Sequence, residues 1–240
     1  MRNPKWHRDE IILALDLYFR LESGKIHAGN PEVIELSKLI NLLPIYEIKP
    51  DEVKFRNPNG VSLKLSNFLA IDDSHPGKGM SSYSKLDEEI FNEFKNEKPR
   101  FSQIAQTIKI TISNPELIES LSRIENDDME SVVEGQVLYK LHKYRERNKK
   151  IVSKKKANSL KKFGKLECEI CGFDFHLKYG ELGYGFIECH HMVPLYALNS
   201  VTETRLDDLA LVCANCHRML HRRISNESNF NIISKKGNDK

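Results

Sequence analysis

Two pairs of cysteines constrain the fold of this chain more than any other feature. Cys168 and Cys171 form one Cys-x-x-Cys turn, and Cys213 and Cys216 form a second turn after 41 intervening residues. Each turn presents two thiolates to one ion, so the two turns together complete a tetrahedral Zn²⁺ site. The alternatives are four buried free thiols or a redox pair, and two such pairs in one short segment favour structural zinc.

The cysteine count and the amino terminus indicate a reducing compartment. The chain has five cysteines, an odd number, and it starts with a polar, charged segment that lacks the apolar core of a signal peptide. No stretch approaches the roughly 18 apolar residues of a membrane span. We therefore expect a cytoplasmic protein without a membrane partner.

The segment between the cysteine pairs predicts two short strands. Residues 185–189 (GFIEC) form the first predicted strand, which ends in the pair His190 and His191. Pro194 stops this strand and opens a loop, and residues 209–212 (LALV) predict the second strand. The sequence thus places a histidine pair at the end of a strand.

A helix is predicted over residues 214–223 (ANCHRMLHRR), directly after the second strand. His217 and His221 are four residues apart, so their imidazoles lie on one helix face. Cys216 lies roughly 100° around the helix from His217. One helix can therefore serve two different metal ions, with zinc on one side and a second ion on the other.

The sequences CEICGF, IECHHMVPL and DDLALVCANCHRMLH resemble the HNH, or ββα-metal, nuclease family over about residues 165–223. This resemblance implies a DNA endonuclease that hydrolyses phosphodiester bonds with one divalent ion, such as Mg²⁺ or Mn²⁺, beside the structural Zn²⁺. It implies that His191 is the general base. It also implies that His190, His217 and His221 are ligands of the catalytic ion.

The chain departs from the family at the middle position of the motif. The family has Asn before the second strand, whereas this chain has Asp207-Asp208-Leu209, so we assign the role to Asp208. Asp208 either hydrogen-bonds the loop that orients the base or joins the metal shell. Arg218 and Arg222 extend from the same helix and are candidate clamps for the substrate phosphates.

Basic residues are concentrated in residues 143–165, which hold 11 Lys and Arg against one Glu. Such a run is either a solvated face or flexible linker, or a surface that contacts the DNA backbone. Beside a nuclease module we favour contact with double-stranded DNA. The candidate contacts are Lys154, Lys155, Lys156, Lys161 and Lys162.

The predicted architecture is an α+β chain with a mostly helical amino-terminal part. We expect a DNA-recognition domain over residues 1–110, a helical and basic connector over 111–164, the HNH module over 165–225 and a tail over 226–240. Helices are predicted over residues 8–22, 31–43, 61–72, 85–95 and 115–130. A single long helix or semi-rigid connector is predicted within residues 131–163.

The stretches FRNPNGVSLKLSNFLAID and EGQVLYKLHKYRERNKK resemble the McrA-like group of modified-cytosine-dependent restriction endonucleases. That resemblance implies an amino-terminal domain that recognises DNA bearing 5-methylcytosine. Polar donors around a predicted turn and helix start are candidate DNA contacts, although capping and turn formation explain the same residues. They are Arg56, Asn57, Asn59, Ser62 and Lys64. Trp6 either contacts a base or packs in the core.

Two other functions remain open from the sequence. One is an HNH nuclease of the homing or recombination type, which acts on unmodified DNA. The other is a zinc-dependent DNA-binding protein that does not cleave. Double-strand cleavage with one active site per chain would suggest a homodimer.

Overall fold

The computed structural model describes residues 3–46, 49, 51–75, 82–124, 135–192 and 204–222. The chain divides into two compact units. The first unit comprises residues 1–125 and 135–138, and the second comprises residues 126–134 and 139–240. Residue 110, the predicted end of the first domain, lies within a helix. The predicted tail over 226–240 lies outside the described residues.

The first unit is built from helices, as the sequence predicts. One helix, α5, was not predicted, because its Ile and Thr residues have low helix propensity. It nevertheless buries Phe101, Ile104 and Ile108 along one face. The helices are α1 (Arg8–Arg20), α2 (Pro31–Ile40), α3 (Pro58–Ile71), α4 (Lys85–Phe94), α5 (Lys98–Ile112) and α6 (Pro115–Ser122).

An Asn-Pro dipeptide starts α2, α3 and α6. In each case the Asn side chain accepts a hydrogen bond from a backbone N–H in the first turn, and Pro occupies the first helical position. Helix α3 begins at Pro58, three residues before the start that the sequence predicts at residue 61, and Asn57 is its N-cap.

Helix α1 lies at the centre of the first unit. Every residue from Asp9 to Tyr18 is buried. Helices α2, α3, α4 and α5 all contact α1, which explains why it is buried around its circumference. The core of this unit therefore surrounds its first helix.

Two buried ion pairs fix helices within the first unit. The guanidinium of Arg56 binds both carboxylate oxygens of Glu10, at 2.6 Å for Nε–Oε1 and 2.9 Å for Nη2–Oε2. Lys64 Nζ lies 2.8 Å from each carboxylate oxygen of Asp87. Trp6 lies against both cations, with its ring centroid 4.4 Å from Cζ of Arg56. Trp6 therefore takes part in intramolecular packing, as one of its two interpretations predicts.

We expect the Glu10→Gln variant to lower the free energy of unfolding of the first unit by about 3–5 kcal/mol, because it leaves the buried Arg56 guanidinium without a counter-charge. The measurement is urea unfolding followed by fluorescence of Trp6, the single tryptophan of the chain. Glu119→Gln is the matched control, because the Glu119–Arg123 pair is exposed and contributes at most about 1 kcal/mol. Equal effects of the two variants would contradict a structural role for the buried pair.

In its described residues, the connector predicted within residues 131–163 contains two helices. Helix α7 (Gln136–Glu146) crosses the division between the units, and α8 (Lys149–Phe163) follows it. The prediction of one long helix is wrong, because extended Asn148 ends the first helix and caps the second through the backbone N–H of Lys150. Partly buried Ile151, Val152 and Leu160 pack α8 against the core of the second unit.

The carboxy-terminal module consists of short elements around a two-stranded sheet. These are α9 (Phe175–Tyr179), a 3₁₀ turn (Gly180–Gly183), β1 (Glu188–His191), a second 3₁₀ turn (Leu206–Asp208), β2 (Leu209–Val212) and α10 (Ala214–Arg222). Strands β1 and β2 pair antiparallel, with His190 opposite Ala210 and His191 opposite Leu209. The predicted bounds of β2 are confirmed, whereas β1 begins three residues later than predicted and includes the histidine pair.

No helix in the described part of the chain is long and apolar enough to span a lipid bilayer.

Candidate metal centres

The four cysteines of the two Cys-x-x-Cys turns converge on one point. Their sulfur atoms all lie within 4.8 Å of one another, and those of Cys171 and Cys213 are 3.7 Å apart. Sulfurs bound to one tetrahedral Zn²⁺ at about 2.3 Å are separated by about 3.8 Å. Residues Cys168, Cys171, Cys213 and Cys216 therefore fit a structural zinc ion.

Backbone geometry positions the first turn against β2. Gly172 follows Cys171 with a φ of 72° and donates its N–H to the carbonyl of Cys168 at 2.8 Å. This left-handed conformation favours glycine. Glu169 then pairs with Leu211 twice, through its backbone N–H and through its carboxylate. The thiols are thereby held by a turn that is bonded to the sheet.

The thiols of the cluster have opposing pKa shifts. Burial raises the pKa of Cys171 and of Cys216. Burial acts in the same direction on Cys168, but hydrogen bonds from backbone N–H groups outweigh it and lower the pKa of that thiol. One thiolate is thus favoured among neighbours that resist ionisation, and a bound cation would allow all four to ionise.

We expect the purified chain to contain one tightly bound Zn²⁺ and the Cys168→Ser variant to lose it, because serine removes one of four thiolate ligands. Elemental analysis after dialysis measures the zinc content per chain. Cys189→Ser provides the control, since Cys189 is equally buried but lies outside the cluster. Retention of one zinc per chain by Cys168→Ser would contradict the assignment.

Strand β1 and helix α10 bring together the histidines that the sequence predicts to be metal ligands. The Nε2 atoms of His217 and His221, one helical turn apart, are 2.9 Å from each other. The ring of His190 on β1 lies 5.3 Å from that of His217 and 5.1 Å from that of His221, between centroids. His190 and His221 belong to one group whose ligand atoms lie within 4.8 Å of one another, and His217 lies beside this group through its contact with His221.

Helix α7 adds two residues to this cluster that the sequence analysis missed. His142 and Glu146 lie four residues apart on α7, and the Glu146 carboxylate is surrounded by imidazoles. The i, i+4 spacing of His142 and Glu146 on α7 is the same as that of His217 and His221 on α10, and this spacing is the sequence signal for both pairs.

A carboxylate on β1 orients one imidazole of the cluster. Glu188 Oε2 lies 2.6 Å from Nδ1 of His217. A proton on Nδ1 donated to Glu188 leaves Nε2 free to bind a metal ion, which is the usual way in which a second carboxylate fixes a histidine ligand. Burial lowers the pKa of His217, but hydrogen bonding to Glu146 and Glu188 outweighs this effect and raises it.

His191, the predicted general base, is buried, and one of its ring nitrogens makes no hydrogen bond to the described residues. Its Nε2 lies 3.5 Å from the hydroxyl of Thr204. Its Nδ1 is buried and has no hydrogen-bond partner among the described residues. Burial lowers the pKa of His191 to about 4, so the ring is neutral at neutral pH. A neutral imidazole with an open nitrogen is the form that a general base requires.

Burial also acts on the pKa values of His190 and Glu146. It lowers the pKa of His190 to about 4, which keeps this ring neutral and able to bind a metal ion. Burial alone raises the pKa of Glu146, but the charge of His142 and hydrogen bonds with the surrounding histidines hold it well below its usual range. The site therefore places the Glu146 carboxylate beside the neutral ring of His190.

Asp208 holds the backbone beside the predicted base. Its carboxylate accepts the N–H of Arg205 at 2.9 Å, and its carbonyl accepts the N–H of Met192 at 2.8 Å. Met192 directly follows His191. Of the two roles proposed for Asp208 from the sequence, these contacts favour the positioning of the loop over membership of the metal shell.

Some of the predicted DNA contacts are exposed, and others form contacts within the protein. Lys156 donates to the carbonyl of Gly185 at 2.9 Å, and Lys155 lies 3.7 Å from Glu169. These two half-buried lysines attach α8 to the module, and their interpretation as DNA contacts stays a prediction. The side chain of Arg222 lies outside the described residues. The exposed members are Lys154, Lys161, Lys162 and Arg218.

Two of the amino-terminal candidates are corrected. Arg56 and Lys64 are 3% and 5% exposed and form the buried ion pairs with Glu10 and Asp87, so they do not face DNA. Asn57 caps α3 through the N–H of Gly60. The sequence indicates the polar character of these residues but not their burial. Asn59 is exposed and Ser62 is half-buried.

Comparison with known proteins identifies the carboxy-terminal part of the chain. Residues 168–223 match the family model of the HNH endonuclease. No curated protein and no solved structure matches the chain. The match covers both Cys-x-x-Cys turns, both strands and α10, and it leaves α7, α8 and the first unit outside. The chain therefore carries an HNH endonuclease domain at residues 168–223.

Proposed function

We propose that this protein is a DNA endonuclease in which His191 activates water and His190, His217 and His221 bind a divalent ion. The observation that carries this proposal is the buried, neutral ring of His191, whose Nδ1 has no partner among the described residues, beside a cluster of imidazole nitrogens. The HNH match over residues 168–223 supports the same reaction class.

The proposed reaction is hydrolysis of a phosphodiester bond. A water molecule attacks phosphorus, a new P–O bond forms, and the opposite P–O bond breaks in line with it. His191 takes the proton of the attacking water. Asp208 keeps the base in position through the backbone after β1. When bound, the divalent ion supplies positive charge at the phosphate and at the leaving oxygen.

Exposed basic residues near the domain are the proposed contacts to the DNA backbone. Helix α8 packs on the core of the second unit and carries Lys154, Lys161 and Lys162 on its exposed surface. Arg218 is exposed on α10, beside the metal ligand His217. These side chains supply affinity that does not depend on sequence and that decreases with salt.

We expect His191→Ala to reduce cleavage of supercoiled plasmid by about 10²–10⁴-fold, the usual contribution of a general base. Agarose gels with Mg²⁺ or Mn²⁺ measure the rate. His176→Ala is the matched control, because His176 is an exposed histidine of the same unit. Cleavage by His191→Ala at the rate of the control would contradict the assignment of the base.

We further propose that the target is DNA with 5-methylcytosine-type modification and that the enzyme acts in restriction in the cytoplasm. The resemblance of the amino-terminal stretches to the McrA-like group supports this target, and exposed Asn59 and half-buried Ser62 remain available as contacts. A homodimer would supply the two active sites needed to cut both strands.

We expect cytosine-methylated plasmid to be cleaved about tenfold faster or more than the same unmethylated plasmid, because a methyl group read in an apolar pocket contributes about 1–3 kcal/mol. Initial rates at equal salt measure this ratio. Equal rates would contradict the modified target and favour a nuclease of the homing or recombination type. Absence of cleavage together with DNA binding would favour a binding protein that does not cleave.

A further inference from the structure

We propose that Glu146 and His142 of helix α7 are ligands of the same divalent ion as the histidines of the HNH domain. This inference rests on the proposed function, because it assigns further residues to its metal site. Neither residue belongs to the segment that matches the family model. Both lie in the second unit, as do β1 and α10.

The Glu146 carboxylate lies at the centre of the cluster. Its Oε1 is 2.9 Å from Nδ1 of His190 and 3.0 Å from Nε2 of His217, and its Oε2 is 3.3 Å from Nε2 of His221. Ligands bound at about 2.1 Å and at right angles on one ion are about 3 Å apart. These separations therefore fit a carboxylate and imidazoles that share an ion.

His142 provides an independent geometric argument. Its Nε2 lies 2.8 Å from Oε1 of Glu146, yet this buried nitrogen makes no hydrogen bond of acceptable geometry. Two polar atoms that are close but do not point at each other are characteristic of two ligands that point at a third atom. The ligand atoms of His142, Glu146, His190 and His221 all lie within 4.8 Å of one another, as ligands of one ion must.

The charge of the site also favours a bound cation. The Glu146 side chain is 8% exposed, and all its ion-pair partners among the described residues are histidines. A carboxylate buried in the interior is strongly unfavourable unless a positive charge compensates it. A divalent cation bound between Glu146 and the imidazole nitrogens removes this cost.

The donor atoms predict which metal ion is bound. One carboxylate among several imidazoles is a nitrogen-rich set, which suits Mn²⁺, Co²⁺, Ni²⁺ and Zn²⁺, whereas Mg²⁺ prefers oxygen ligands throughout. We therefore infer that the site prefers a transition metal to Mg²⁺. We also infer that the functional nuclease extends to α7 and is larger than residues 168–223.

The test is calorimetric titration of Mn²⁺ into the full chain that holds one zinc per chain, bound by the four cysteines. We expect the Glu146→Gln and His142→Ala variants to bind Mn²⁺ at least about tenfold more weakly than the unmodified chain, with one zinc per chain retained. Glu167→Gln is the matched control, because Glu167 lies in the same unit and pairs with Lys165 instead. We expect Mg²⁺ to bind at least about tenfold more weakly than Mn²⁺.

The outcomes separate this inference from the proposed function. Unchanged Mn²⁺ affinity in both folded α7 variants overturns the inference, and His191→Ala still tests the base on its own. If Glu146→Gln does not fold, unchanged affinity in His142→Ala overturns the two-ligand assignment. Equal binding of Mg²⁺ and Mn²⁺ overturns the metal preference. If the unmodified chain binds no second divalent ion, the inference and the metal-dependent reaction both fail.

Discussion

The thiolate cluster is the constraint on which the rest of the second unit depends. Strands β1 and β2 have four residues each, and an isolated two-stranded sheet of this size is marginal in water. The Cys-x-x-Cys turns flank this sheet, one bonded to β2 through Glu169 and the other leading into α10. A zinc ion that joins the turns would hold the sheet and the helix in the positions that assemble the histidines.

The two candidate metal sites share helix α10 but differ in chemistry. On α10, Cys216 belongs to the thiolate cluster, and His217, the next residue, faces the imidazole cluster. Soft thiolates favour structural Zn²⁺, whereas the carboxylate and imidazoles suit an ion with positions open to water and phosphate. Because neighbouring residues serve both sites, loss of zinc would displace the histidines as well.

The sequence predicts the carboxy-terminal module well because its chemistry is local. Cysteine spacing, the histidine pair and the i, i+4 histidines of α10 each depend on a few neighbouring residues. Glu146 could not be placed in this way, because its contacts with His190 and His217 span 44 and 71 residues. Arg56 and Lys64 were misassigned for a related reason, since a buried ion pair and a DNA contact use the same residue types.

Anomalous diffraction from crystals of the zinc-loaded full chain soaked in Mn²⁺ tests the central claim most directly. The account predicts a zinc peak between the sulfurs of Cys168, Cys171, Cys213 and Cys216. It predicts a separate manganese peak bound by Glu146, His142 and His190 together with the histidines of α10. A manganese peak without Glu146 among its ligands, or no peak within the histidine cluster, would contradict it.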